Sequence, residues 1–199
     1  MDPVKRNILE VALAEFANYG FEGSRIESIA AGTHTSKRMI YYHFGSKEGL
    51  YAAVLEFAYW VVREDHIDTP IDLPPLQALA QFAGFAFDNF SKYPDFIRLS
   101  LQENLQGARF LKESPSIVEM NRATLTVVKD IVQRGQSDGV IRKDVDPMNV
   151  YINFIGLCHY HISSRHNYQV LFDYDSTTPE NSQSRRASIC EAIVRYVKA

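Results

Sequence analysis

The sequence predicts an all-α protein, and three observations carry that expectation. Apolar residues recur at helical spacing through most of the 199-residue chain. Residues that cap helices stand at the edges of those stretches. No run alternates apolar and polar residues as a half-buried strand would. Hydrophobic residues make up 46% and charged residues 23%, ordinary proportions for a globular protein. The pattern divides into about nine or ten helices. A helix-turn-helix unit comes first, over residues 1–50 and running through a linking helix to about residue 65. A longer helical domain follows over 66–199.

The first helix spans Pro3 to about Tyr19. Pro3 suits the first turn, where its missing N–H costs nothing. Ile8, Leu9, Ala12, Leu13, Phe16 and Ala17 form one apolar stripe, and Gly20 stands ready as a C-terminal cap. Ser24-Arg25-Ile26-Glu27 reads as a capping box opening a short second helix that ends near Gly32. A tight turn, Gly32-Thr33-His34-Thr35, leads to Ser36 as the next N-cap. The third helix runs from Lys37 to about His43, with Ile40 and Phe44 facing inward and Lys37, Arg38, Tyr41 and Tyr42 largely outside. One of the two tyrosines is expected to pack partly inward. Ser46 caps a fourth helix carrying Leu50, Tyr51, Val54, Leu55, Ala58 and Val61.

Prolines at 70, 74 and 75 mark a loop or hinge. Beyond it, helical patterns cover Leu76–Phe90, Asp95–Gln106 and Ile117 to near Gly135. A turn region, Gly139 to Pro147, precedes a helix over Asn149–Ser164. That helix carries no Asp, Glu, Lys or Arg, so it belongs in a core or a subunit interface. Thr177-Thr178-Pro179-Glu180 opens the last helix, with Ile189, Ile193, Val194 and Val197 on one face.

Charge and composition narrow the function. Net charge is −3, so no broad basic surface exists. Residues 33–47 nevertheless carry Lys37, Arg38 and Lys47 without a single acid, with His34 and His43 beside them. A nucleic-acid footprint must therefore be small and local. The N-terminus runs into a helix with no apolar signal region, no stretch suits a membrane span, and the two cysteines sit in apolar helical stretches. A cytoplasmic protein is expected. No nucleophile elbow, phosphate-binding glycine loop or Cys–His arrangement supports an enzyme, and no cofactor is expected.

Two short helices joined by a tight turn place the second in the major groove of double-stranded DNA. That geometry needs cations and donors at the start of the second helix. Ser36, Lys37 and Arg38 supply them, with Met39 beside them. Arg and Lys reach guanine O6 and N7. Tyr41, Tyr42 and His43 offer donors to phosphates, Lys47 adds a cation at a helix N-terminus, and Ser24, Arg25 and His34 complete the candidate contact set.

Gly20-Phe21, Ile29-Ala30, Ser36-Lys37, Ile40-Tyr41-Tyr42-His43-Phe44 and Ser46-Lys47-Glu48-Gly49-Leu50 resemble the DNA-binding signature of the TetR family of bacterial regulators. The motif covers about a quarter of the chain. The stretch Gly139-Val140-Ile141-Arg142-Lys143-Asp144-Val145-Asp146-Pro147 is similar to a linker often seen in that family before a dimer helix. The chain departs from the family at Thr33-His34-Thr35, where Ala-Gly-Val is usual, and at Arg38 and Met39, where a small residue and Thr are common. The resemblance implies a dimeric repressor. Each subunit reads half of a palindromic operator, and a small-molecule inducer in the C-terminal domain changes the spacing of the two heads. Groove geometry sets that spacing near one helical turn, about 34 Å.

Phe82, Phe85, Phe87 and Phe90, with Tyr59 and Trp60, form either plain core or the lining of an effector cavity. Trp60, Phe82 and Phe85 are its candidate apolar contacts, and Arg98, Glu103 and Asn104 its candidate polar ones. His159 and His161 point to different faces of one helix and chelate poorly, so with His166 they are expected to be packed histidines and not metal ligands. The Asn149–Ser164 and Ile117–Gly135 helices are the candidate dimer interface, with Gly156 permitting close approach. The rival reading is an all-helical interaction or scaffold module whose basic helix meets an acidic partner. Salt-dependent binding to a palindromic duplex separates the two.

Overall fold

The computed structural model describes residues 1–33, 35–64 and 72–199. Among them lie ten α-helices: α1 (Pro3–Gly23), α2 (Ile26–Gly32), α3 (Lys37–Phe44), α4 (Lys47–Glu64), α5 (Pro75–Lys92), α6 (Pro94–Leu105), α7 (Pro115–Ser137), α8 (Pro147–Ser163), α9 (Arg165–Phe172) and α10 (Pro179–Val197). The described residues contain no strand, and a single bridge pairs Ile141 with Lys198. The chain is all-α, as its periodicity requires. Most of the expected hinge, and His34, lie outside the described residues.

The helices gather into two compact units. The first takes Met1–Glu64 and Asp95–Glu119; the second takes residues 72–94 and Met120–Ala199. Reading the sequence alone assigns Asp95–Glu119 to the second domain. In the structure Phe96 of α6 meets Tyr59 of α4 edge-on, ring centroids 5.0 Å apart. Arg98 Nη1 donates to Asn18 Oδ1 of α1 at 2.9 Å.

In the first unit, Asp2 caps α1 by accepting from Val4 N at 3.0 Å. At Gly20 the backbone swings to φ 67°, which breaks the helix and which a residue with a Cβ resists. The core holds Ile8, Phe16, Ile29, Ile40, Leu50 and Tyr51, all fully buried. The rings of Phe16 and Tyr51 lie 4.9 Å apart, Phe21 and Tyr51 5.3 Å, Phe21 and Phe110 5.0 Å, and Tyr51 and Phe110 4.6 Å. Aromatic pairs at such distances add about 0.5–1.5 kcal/mol each beyond area burial.

The expected capping box does not form. Ser24 is buried, and its hydroxyl donates backward to Gly20 O at 2.6 Å and Glu15 O at 3.1 Å. The last carbonyls of α1 lack helical donors, and Ser24 answers them instead of opening α2. Arg25 takes the N-cap position of α2 without a side-chain bond, and its N–H is met by Glu15 Oε1 at 3.1 Å.

In the second unit, Phe82 of α5 and Phe154 of α8 meet edge-on at 5.3 Å, with Ile189 and Ile193 of α10 buried. Arg186 of α10 places Nε 2.9 Å from both carboxylate oxygens of Asp88 on α5. The C-terminus is pinned to the turn before α8, since Arg142 N donates to Val197 O and Ala199 N to Val140 O. Asp146 caps α8 by accepting from Met148 N at 2.8 Å. Helix α8 is open along Met148, Ile152, Gly156 and Tyr160 rather than enclosed on every side. Helix α9 went unanticipated: its apolar residues, Val170-Leu171-Phe172, are consecutive and form no stripe.

Gly135 lies inside α7 and does not end it. A Cβ there would stand 2.6 Å from Ile141 Cγ1 and 3.0 Å from Pro75 Cβ. Helix propensity alone favours Gly135→Ala by about 0.8–1.0 kcal/mol. Overpacking costs about 1–3 kcal/mol and prevails. The substitution is expected to destabilise the protein, read as a lower urea midpoint.

Burial pushes the His159 and His161 imidazoles below their ordinary value of 6.5. His161 lies between the rings of Phe87, at 5.5 Å, and Tyr168, at 5.9 Å. The unfolded chain then binds more protons than the folded one as pH falls below 6.5. Their contribution is complete above that pH and is lost as pH falls toward the depressed folded values. Thermal melts from pH 7.5 to pH 5 are expected to show this loss, and His161→Asn is expected to make it shallower.

Candidate nucleic-acid interface

The reading head is built from local signals. Ser36 Oγ accepts from Met39 N at 3.3 Å and starts α3. Ile40, fully buried, anchors it, while Phe44 is half-buried. Gly45, at φ 75°, ends it by donating its N–H to Tyr41 O at 2.8 Å. Ser46 Oγ then accepts from Gly49 N at 3.1 Å and starts α4. The result is a two-turn helix held at both ends and seated on one isoleucine.

Its outer face carries Lys37, Arg38, Met39, Tyr41 and Tyr42. Tyr42 is 78% exposed and Tyr41 38%, so neither packs into the core. The Tyr42 and His43 rings meet edge-on at 5.3 Å, which fixes the direction of the aromatic pair. Arg25 and Ser36 are exposed at the starts of α2 and α3. Arg25, Arg38 and the two tyrosines are thus presented to solvent together with the N-terminal turn of α3.

Two cations are already engaged. Lys37 Nζ pairs with Glu27 Oε1 of α2 and sits 5.9 Å from the centre of the Tyr41 ring. Each partner shifts the other: the lysine is raised and the carboxylate lowered, chiefly by their hydrogen bond. Both are solvent-exposed, so the pair adds little to stability. Its effect is to hold Lys37 against α2. Lys47 Nζ donates to Ser24 O at 2.6 Å and Glu22 O at 3.5 Å, and lies 4.9 Å from the centre of the Phe21 ring. It ties the start of α4 to the α1–α2 corner.

Ser24, expected at the DNA surface, is withdrawn into the α1–α2 corner. Glu27, expected to cap α2, instead meets Lys37; the 10-residue separation hid this from sequence reasoning. Arg109 had no sequence signal at all. It is exposed in the loop after α6, with its guanidinium 4.9 Å from the Phe110 ring centre and 5.7 Å from that of Phe21.

The candidate effector contacts divide between the units. Phe82 and Phe85 lie on α5 of the second, one buried and one half-buried. Trp60, Arg98, Glu103 and Asn104 belong to the first. Trp60 stacks on Phe57, and Asn104 is exposed. Glu103 is no free polar contact: it is buried, and its Oε1 accepts from Phe110 N at 2.6 Å and Leu111 N at 2.9 Å. Among the described residues no group of three His, Cys, Asp or Glu side chains is placed to hold a metal ion.

A capped two-turn helix presenting cations and tyrosines, braced by a short helix and a tight turn, defines a helix-turn-helix DNA-binding protein. The comparisons agree. Residues 8–54 match the model of the bacterial regulatory proteins of the tetR family, and residues 75–193 match the Tetracyclin repressor-like C-terminal domain. The chain is 33% identical to the HTH-type transcriptional repressor NicS of Pseudomonas putida over 166 residues, covering 83% of this chain and 78% of that protein. The putative transcriptional regulator SCO4942 of Streptomyces coelicolor superposes with a TM-score of 0.75 at 27% identity over 98% of both chains. FadR of Bacillus subtilis, solved in complex with stearoyl-CoA, shares the fold with a TM-score of 0.72 at 17% identity over 95% of this chain and 97% of its own. The chain belongs to the TetR family of bacterial transcription regulators, which are not enzymes.

Because Lys47 Nζ is engaged with two carbonyls, Lys47→Ala is expected to weaken binding to a selected duplex at least threefold without changing its salt dependence. Filter binding across salt concentrations checks this. A lost phosphate contact would instead flatten the log–log slope by about 0.9 per subunit.

Proposed function

We propose that the protein is a homodimeric repressor that binds a palindromic operator in double-stranded DNA and is released by a small-molecule inducer. The observation that carries the reading is the exposed face of α3, where Arg38, Lys37, Tyr41 and Tyr42 stand beside the Ser36-capped turn. Arg38 and Met39 are the proposed base readers, and Arg25, Ser36, Tyr42 and His43 the proposed phosphate contacts. His34 joins them from sequence alone. Repression is supported by NicS, a named repressor that is 33% identical over 83% of this chain.

The effector is proposed to bind in the second unit, with Phe82 and Phe85 of α5 as apolar contacts. A fatty acyl-CoA in the FadR structure supports small-molecule binding in this fold and says nothing of which molecule binds here. For the dimer, α8 supplies the best face: Met148, Ile152 and Tyr160 are exposed around an open Gly156. The open face of α7, the other candidate, carries Arg122, Lys129 and Asp130 and is less suited. The protein is proposed to act in the cytoplasm, on DNA. No described helix is long and apolar enough to cross a membrane.

A selected palindromic duplex tests this reading. Lys37→Ala combined with Tyr42→Ala is expected to reduce affinity at least tenfold while leaving the melting temperature within a few degrees. Unchanged affinity would remove α3 from the interface.

A further inference from the structure

We propose that Arg109, in the loop after α6, holds a phosphate of the operator DNA beside the recognition helix α3. The contact comes from a residue inside the C-terminal family match, and the proposal rests on the operator reading above.

The turn after α6 is built to leave Arg109 outside. Gly107 and Ala108 are both left-handed, at φ 69° and 58°. An alanine resists that conformation, and such residues persist where their neighbours over-determine them. Glu103 of α6 supplies the bonds that do so. Its carbonyl accepts from Ala108 N at 2.9 Å, and its buried carboxylate accepts from Phe110 N and Leu111 N. Phe110 is thereby sent into the ring cluster, and Arg109 beside it stays exposed.

The Arg109 guanidinium lies over two rings, 4.9 Å from the centre of Phe110 and 5.7 Å from that of Phe21. A planar guanidinium that stacks by its face keeps the N–H groups along its edge for an anion. Among the described residues no carboxylate lies within ion-pair distance of it, whereas Lys37 is paired with Glu27.

Two observations place Arg109 at the reading head. Lys47 Nζ, at the start of α4, lies 4.9 Å from the centre of the same Phe21 ring and donates to Ser24 O, next to Arg25 at the start of α2. The Arg109 charge also helps to lower the Glu48 carboxyl in the first turn of α4, after the larger effects of Glu48's own N–H and the Ser46 hydroxyl. Arg109 thus joins the corner made by the starts of α2 and α4. Both flank α3, and the elements around a recognition helix are the ones that hold phosphates. An exposed arginine at that corner contributes a charge contact that carries no base preference.

Filter binding of the full chain to a selected palindromic duplex, across salt concentrations, tests the proposal. Arg109→Ala is expected to weaken binding at least fivefold at low salt and to leave the ranking of operator sequences unchanged. It is also expected to flatten the log–log slope by about 0.9 per subunit. Arg109→Lys keeps the charge and is expected to keep the slope. Circular dichroism verifies each fold, and Arg109→Gln serves if alanine disturbs it. Weaker binding with the wild-type slope would make Arg109 a brace for Phe21 and Phe110 and overturn the contact. Wild-type binding by Arg109→Ala, while Lys37→Ala with Tyr42→Ala loses affinity, would overturn it and leave α3 as the reader. A wild type that selects no duplex would overturn the operator reading itself.

Discussion

Four aromatic rings hold the DNA-reading unit to the segment that follows α6. Phe16 and Phe21 come from α1, Tyr51 from α4 and Phe110 from the loop before α7, with centroid distances from 4.6 to 5.3 Å along the chain of contacts. Beneath them, Glu103 fixes the loop by accepting the N–H groups of Phe110 and Leu111. Burial, with the Glu103 carboxyl beside it, raises the Tyr51 hydroxyl well above its ordinary value, so that tyrosine stays neutral. The position of α3 depends on this cluster. Ile40 seats α3 on the core that contains Tyr51, and Lys47 ties the start of α4 to the corner where Phe21 lies.

Electrostatics of the head follow from the same economy. Residues 1–50 carry six bases and six acids, so no long-range field draws the unit to DNA. Lys37 is held by Glu27, and Lys47 by backbone carbonyls. The cationic contribution then falls on a few side chains, with Arg25 and Arg38 foremost. A footprint this small gives a weak salt-dependent term for one head. In the proposed dimer, two tethered heads would multiply their affinities through effective concentration. A head without net charge and with a small reading face would depend on such symmetry for useful binding more than a basic one does.

Local rules made much of the fold legible. Ser36, Gly45 and Ser46 act within four residues of their own positions, and the sequence places the caps Ser36 and Ser46 correctly. The stripes of α1, α4, α7 and α10 are long enough to show their period. What escaped depends on partners that helical spacing does not reveal. Ser24 has the spacing of a capping box, yet the nearby carbonyls of Gly20 and Glu15 take its hydroxyl. Gly135 reads as a helix end, but it is small because Ile141 and Pro75 approach it. Glu103 reads as a polar group facing a ligand, and only folding shows that it turns to its own backbone. Helix α9 lacks a stripe, and among the described residues none of its side chains is fully buried. The DNA-binding motif was legible for the opposite reason: the caps that bound α3 are local, and Arg38, Met39 and Tyr42 stand exposed on its outer face.

The boundary between the units bears on how an effector signal would reach the head. The C-terminal family match begins at residue 75, yet Asp95–Glu119, inside that match, packs with α1 and α4. Helix α7 begins in one unit and continues in the other. Glu103 on α6 holds the loop that carries Phe110, so a displacement of α6 would act on the ring cluster within the first unit. Shifting occupancy from 1:99 to 99:1 requires about 5.5 kcal/mol of differential binding. Pulling Phe110 wholly from its ring contacts would consume about 3–5 kcal/mol of that, judged by the cost of deleting a buried aromatic side chain. An effector that tore the cluster open would have little left for moving the heads. In the proposed dimer, the economical motion would keep the four rings together and carry α1, α4 and the end of α6 as one body, so that α3 would turn with them and change its distance from the partner head.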